Sequence, residues 1–202
     1  MCIRDSLGLF IVSHLIVHLF ALGSIEAHQN ALKAVQWTYR NPIGEAVLVI
    51  AILTQIVTGV KRLKAKRKSL NIWAPNWSKA QIWSGLYLIM FLIVHTGAAL
   101  FTHHIFGLET DFYWAAGSMG ISPVKFVFWP YYFAAIMAVF VHFACAVHFG
   151  FRGRMGWLEK LLPVLGVITA LPIILPISGA LYDIVIPEGV LDYYQKYFPG
   201  VG

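Results

Sequence analysis

Of the histidines inside the apolar runs of this chain, three stand out, one to a run: His14 within Leu7–Leu22, His95 within Gln81–His104 and His142 within Phe126–Phe151. An imidazole at membrane depth is costly unless it has a partner, so each is a functional candidate by position. A neutral imidazole carries one N–H donor and one bare nitrogen. It can bind a metal, pass a proton or join two helices by a hydrogen bond. His18 follows His14 by one helical turn on the same face. The others read as hydrated side chains: His28 in a loop, His103 and His104 at one interface, His148 at the other.

The runs that hold these histidines dominate the composition. Of 202 residues, 59% are hydrophobic and only 12% charged. Mean hydropathy is +0.72. This predicts an all-α, polytopic membrane bundle forming one domain over 1–202. The net charge of +6 is concentrated in Lys61–Lys68, between two apolar segments. That placement marks topology, with acidic lipid or a partner as further uses, and carries no nucleic-acid signal. Cys2 and Cys145 have no pairing logic, and Cys145 reads as a small buried hydrophobe. The opening Met1–Ser6 is neither a signal peptide nor a plausible helix start. It resembles translated adapter sequence, so a non-native start is expected over 1–6.

Five membrane helices are expected, at about 7–22, 43–60, 81–104, 126–151 and 161–181. Four of them would form a bundle around a cofactor. The first spans 16 residues, roughly 24 Å of helix, short of the ~30 Å hydrocarbon core. Asn41-Pro42 signals the start of the second, and Trp129 to Tyr132 an aromatic belt at the fourth. Trp73–Trp77 reads as an interfacial loop, and Pro163, Pro172 and Pro176 as kinks in the fifth helix. Lysine and arginine crowd two loops, Lys61 to Lys79 and Arg152 to Lys160, against Lys33, Arg40 and Lys125 in the others. The N-terminus is therefore predicted cytoplasmic.

With that topology His14 and His95 sit at one depth, nearer the external side. His142 lies nearer the cytoplasm, level with Gln55 of the second helix. Two imidazoles facing across a bundle at equal depth are what a six-coordinate b-type haem needs. Gly59, one turn from Gln55, could leave room for a flat macrocycle, while Ser84 and Gly85 could serve close packing. The plainer reading of a single membrane histidine is a hydrogen bond to a carbonyl or a neighbouring helix. His18 could replace His14 as the ligand or contact a propionate. Zinc is the weaker metal, because no Cys/His cluster has finger-like spacing.

These residues together resemble the cytochrome b membrane-anchor subunit of succinate dehydrogenase and fumarate reductase, in its single-chain, five-helix, dihaem form. The likeness covers most of the chain. Gly8 to Ala21, with His14, resembles the family's first helix; Gln81-Ile-Trp-Ser-Gly85 followed by His95 resembles the third. Ala138 to Ala144, with His142, resembles the fourth, and Thr54 to Gly59 the second. The resemblance implies that His14 and His95 hold the haem distal from the iron–sulfur subunit. At the proximal haem it leaves His142 facing Gln55, where the family has histidine, with His148 as a possible substitute. It further implies flavoprotein and iron–sulfur subunits on the cytoplasmic face, a bacterial inner membrane, and a quinone pocket near a haem edge. Glu26 and Glu45 are the acidic candidates for proton exchange with quinone. Rivals are another integral b-type cytochrome subunit, a haem-free anchor, or a small transporter. Only the fifth span is Pro-rich, which speaks against the broken helices of transporters.

Overall fold

A computed structural model describes residues 3–67, 76–198 and 200. Lys68 and the Trp73–Pro75 part of the expected interfacial loop lie outside the described residues. The described chain is helical: α1 Ile3–Leu19, a 3-10 turn Phe20–Leu22, α2 Ile25–Tyr39, α3 Pro42–Arg67, α4 Asn76–Phe106, α5 Phe112–Gly120, α6 Lys125–Gly150, α7 Gly156–Ile177 and α8 Glu188–Tyr197. Four helices are long and apolar enough to cross a membrane: Pro42–Ala65, Asn76–Phe106, Lys125–Gly150 and Gly156–Ile177. The apolar stretch Leu7–Leu22 is shorter than these. Length and hydropathy thus give four spans where five are expected.

Local chemistry explains the boundaries. Pro42 opens α3, and the Asn41 side-chain oxygen accepts from Gly44 N at 2.9 Å. α3 then continues through the basic stretch to Arg67, well past the expected end at residue 60. Lysine and arginine are good helix formers, and positive charge suits a helix C-terminus. Between the spans, Ser24 caps α2 by accepting from Ala27 N at 3.0 Å. Asp111 caps α5 by accepting from Tyr113 N at 2.9 Å and Trp114 N at 3.2 Å. Neither α2 nor α5 was expected as a helix.

In order of contact the long helices run α1, α3, α4, α6, α7 and back to α1. Among the described residues no Cα pair within 8 Å joins α1 to α4 or α3 to α6 across this ring. The α4–α6–α7 side is the tightly packed one. α2 links α1 to α3, α5 links α4 to α6, and α8 follows α7, so all three lie at the same end. There Phe112, Ala116, Met119, Ile136 and Ile177 form a buried cluster. α8 docks through Val190, Tyr193 and Tyr194; a Cβ at Gly117 of α5 would overlap the Tyr194 ring. Large apolar side chains face outward along the spans, among them Ile43, Val47, Ile50, Trp83 and Ile93. Such a surface suits lipid, with backbone polar groups satisfied inside each helix.

Candidate functional site

The structure brings four imidazoles together. The ring of His14 on α1 stacks on Phe10, with centres 5.5 Å apart. The ring of His95 on α4 lies 6.2 Å from it, inclined by 62°. His18 places Nε2 3.3 Å from His14 Nε2. On its other side His18 Nδ1 lies 3.0 Å from His28 Nε2. The expected proximity of His14 and His95 is therefore present, and His18 lies beside His14 as one-turn spacing requires.

His28 departs from the sequence expectation. It lies on helix α2, not in a loop, and its residue is fully buried. Its ring meets Phe112 edge-on at 5.2 Å. Burial pushes its imidazole down to about 4, helped by His14 and opposed by Asp111. The signal was available in Ser24 as an N-cap with Glu26 in the first turn. His28 and Leu32, one turn apart, form the buried face of the helix that follows.

His95 sits among aromatic rings. It stacks on Phe91 at 4.9 Å and 12°, and meets Tyr132 at 5.9 Å and Trp114 at 6.2 Å. Its Nδ1 is buried and has no hydrogen-bond partner. Tyr131 O–H and Trp114 Nε1 are buried without partners as well.

His142 lies on α6 and Gln55 on α3, across the helix ring from each other. Its Nδ1 lies 3.1 Å from Ser84 Oγ on α4. A Cβ at Gly85 would approach His142 Cε1 to 3.3 Å, so the glycine makes room for the imidazole. As with α1 and α4, no Cα pair within 8 Å joins α3 to α6 among the described residues. Gly59 contacts α4 instead, where its Cβ position is 3.3 Å from Ile89 Cδ1.

Two further carboxylate–imidazole contacts lie at opposite ends. Glu45 Oε1 meets His104 Nε2 at 2.6 Å on the α2–α5–α8 end, whereas Glu26 is exposed. His148, expected as an ordinary hydrated histidine, has Nδ1 2.9 Å from Glu159 Oε2 and stacks on Trp77 at 4.7 Å. Glu159 is buried. Among the described residues no group of three or more His, Cys, Asp or Glu side chains is arranged to hold a bare metal ion.

Comparison with protein-family models, curated proteins and solved structures gives no match.

Proposed function

We propose that this chain is a haem-b membrane anchor that passes electrons between an iron–sulfur subunit and membrane quinone. The complex would be of the succinate:quinone oxidoreductase or fumarate reductase type, with the flavoprotein carrying the dicarboxylate chemistry. The observation that carries this reading is the His14–His95 separation. Imidazole nitrogens bind a metal at about 2.0 Å, so two rings on opposite sides of one ion stand with centres roughly 6 Å apart. The two rings here are 6.2 Å apart, on helices that do not pack against each other. The buried, unpartnered Nδ1 of His95 is a second feature compatible with a missing group. A haem there supplies one-electron carriage through an apolar interior. His142 is an imidazole available to a second haem, and Gln55 a poor iron ligand, so one haem is expected.

In this reading α1 serves as the fifth span. Lys61, Arg62, Lys64, Arg152, Arg154 and Lys160 are exposed at the end opposite α2, α5 and α8. That end would face the cytoplasm of a bacterial plasma membrane and receive the iron–sulfur subunit. The test is a dithionite-reduced minus oxidised spectrum with haem quantified per chain. One low-spin haem, lost in His14→Ala and in His95→Ala, is the expected result. A haem-free protein, or one whose spectrum survives both substitutions, overturns it. A second reading, a haem-free protein that moves protons, is favoured by the His14–His18–His28 contacts, since imidazole chains can relay protons.

A further inference from the structure

We infer that the groove between α4 and α6 holds an acyl chain of an anionic phospholipid, with the lipid head group at Lys79. The site belongs to the membrane bundle itself and does not depend on a haem.

A groove of about 390 Å³ lies between α4 and α6, open to the outside of the bundle. Small side chains leave that space: Ala80 and Ser84 of α4, and Ala134 and Ala138 of α6, each pair one helical turn apart. The two hydroxyls in its wall are already used. Ser84 Oγ donates to the Ala80 carbonyl at 2.7 Å, and Tyr87 O–H donates to the Tyr131 carbonyl at 2.8 Å. A hydrated ligand would lose its water there without replacement, whereas an alkyl chain gives up nothing. Trp83 also lines the groove and is 71% exposed. Its indole suits a site where an apolar chain meets a polar head group.

The length of the groove selects a lipid over a helix. On α4 it runs from Ala80 to Tyr87, roughly 10 Å of helix. A transmembrane helix docking there would need contact across a ~30 Å core, whereas a chain of one leaflet crosses about half of it. Charge selects the head group. The groove occupies the part of α4 nearest its start, at the end where Lys61, Arg62, Lys64, Arg152, Arg154 and Lys160 are exposed. Lys79 directly precedes Ala80 and stands one turn before Trp83 on the same stripe of α4. Glu159, buried at the same end, is already met by His148 at 2.9 Å. A phosphate without a compensating cation is therefore the head group this end attracts.

The experiment strips lipid from the full chain in detergent and adds back phosphatidylglycerol or phosphatidylcholine of equal chain length. Bound lipid per chain is read by native mass spectrometry, and the thermal midpoint is recorded with and without lipid. Phosphatidylglycerol is expected to bind saturably and to raise the midpoint, with phosphatidylcholine about fivefold weaker. Lys79→Gln should remove that preference. Ala134→Leu, which fills the groove, should weaken binding of both lipids about tenfold. Val47→Leu, on the exposed face of α3, leaves binding unchanged. Equal binding of the two lipids by the wild type overturns the site, as does wild-type binding in both variants with unshifted lipid-free midpoints. A dimer that closes the groove and takes up no lipid overturns it too. Should Ala134→Leu fold poorly, Lys79→Gln decides alone, and a retained preference for phosphatidylglycerol overturns the site.

Discussion

His28 Nε2 stands 3.0 Å from His18 Nδ1, which joins a fully buried side chain of α2 to the apolar helix α1. His28 holds one nitrogen of the His18 ring, and the other nitrogen of His18 abuts His14 at 3.3 Å.

The first prediction concerns pH. His28 titrates near 4 in the folded chain, against an ordinary value of 6.5. Between those values the unfolded chain binds a proton that the folded chain refuses. The contribution of neutral His28 is therefore complete above pH 6.5 and is lost as pH falls toward 4. Thermal melts from pH 7.5 to 4.5 should show His28→Gln losing less stability on acidification than the wild type. Parallel curves would refute this.

The α8 dock provides the second. Tyr194 O–H donates to the Trp114 carbonyl at 2.8 Å, and Thr102 Oγ1 donates to Tyr193 O–H at 3.0 Å. Tyr194→Phe should cost about 1 kcal/mol, lowering Tm by roughly 2–4 °C. Gly117→Ala should cost more, because its Cβ collides with the Tyr194 ring. Limited proteolysis should then cut before α8 earlier in Gly117→Ala than in Tyr194→Phe.

The third concerns α4 and α6. Gly85→Val fills the space that His142 Cε1 occupies at 3.3 Å from the first added carbon. Overpacking of this kind costs about 1–3 kcal/mol. The substitution should break the Ser84–His142 contact yet leave any haem on His14 and His95 spectrally intact. Loss of the signal in Gly85→Val would instead tie haem binding to His142.

These sites were legible in the sequence to different degrees. The spans and the His14–His95 proximity follow from long apolar runs whose histidines fall at matching depths. α2 and α5 were hidden because short, half-polar segments carry little periodicity, and only their Ser24 and Asp111 caps mark them. His142 Nδ1 lies 3.1 Å from Ser84 Oγ on the adjoining helix α4, a neighbour that depth along the helices does not reveal.

The final prediction concerns Glu159, a buried carboxylate in the first turn of α7. A negative charge there is favoured by the helix N-terminus. Its Oε2 accepts from His148 Nδ1 at 2.9 Å, while Oε1 is buried without a partner. The contact joins the end of α6 to the start of α7, and the stack on Trp77 extends it to α4. His148→Phe keeps an aromatic ring for Trp77 but strands the carboxylate, at a cost of about 2 kcal/mol. Glu159→Gln removes the charge that needed a partner, so the double substitution should cost less than the sum of the singles. A double-mutant cycle read by thermal or denaturant unfolding measures that coupling. Strict additivity would mean that His148 is held by Trp77 alone and that the carboxylate is satisfied without it.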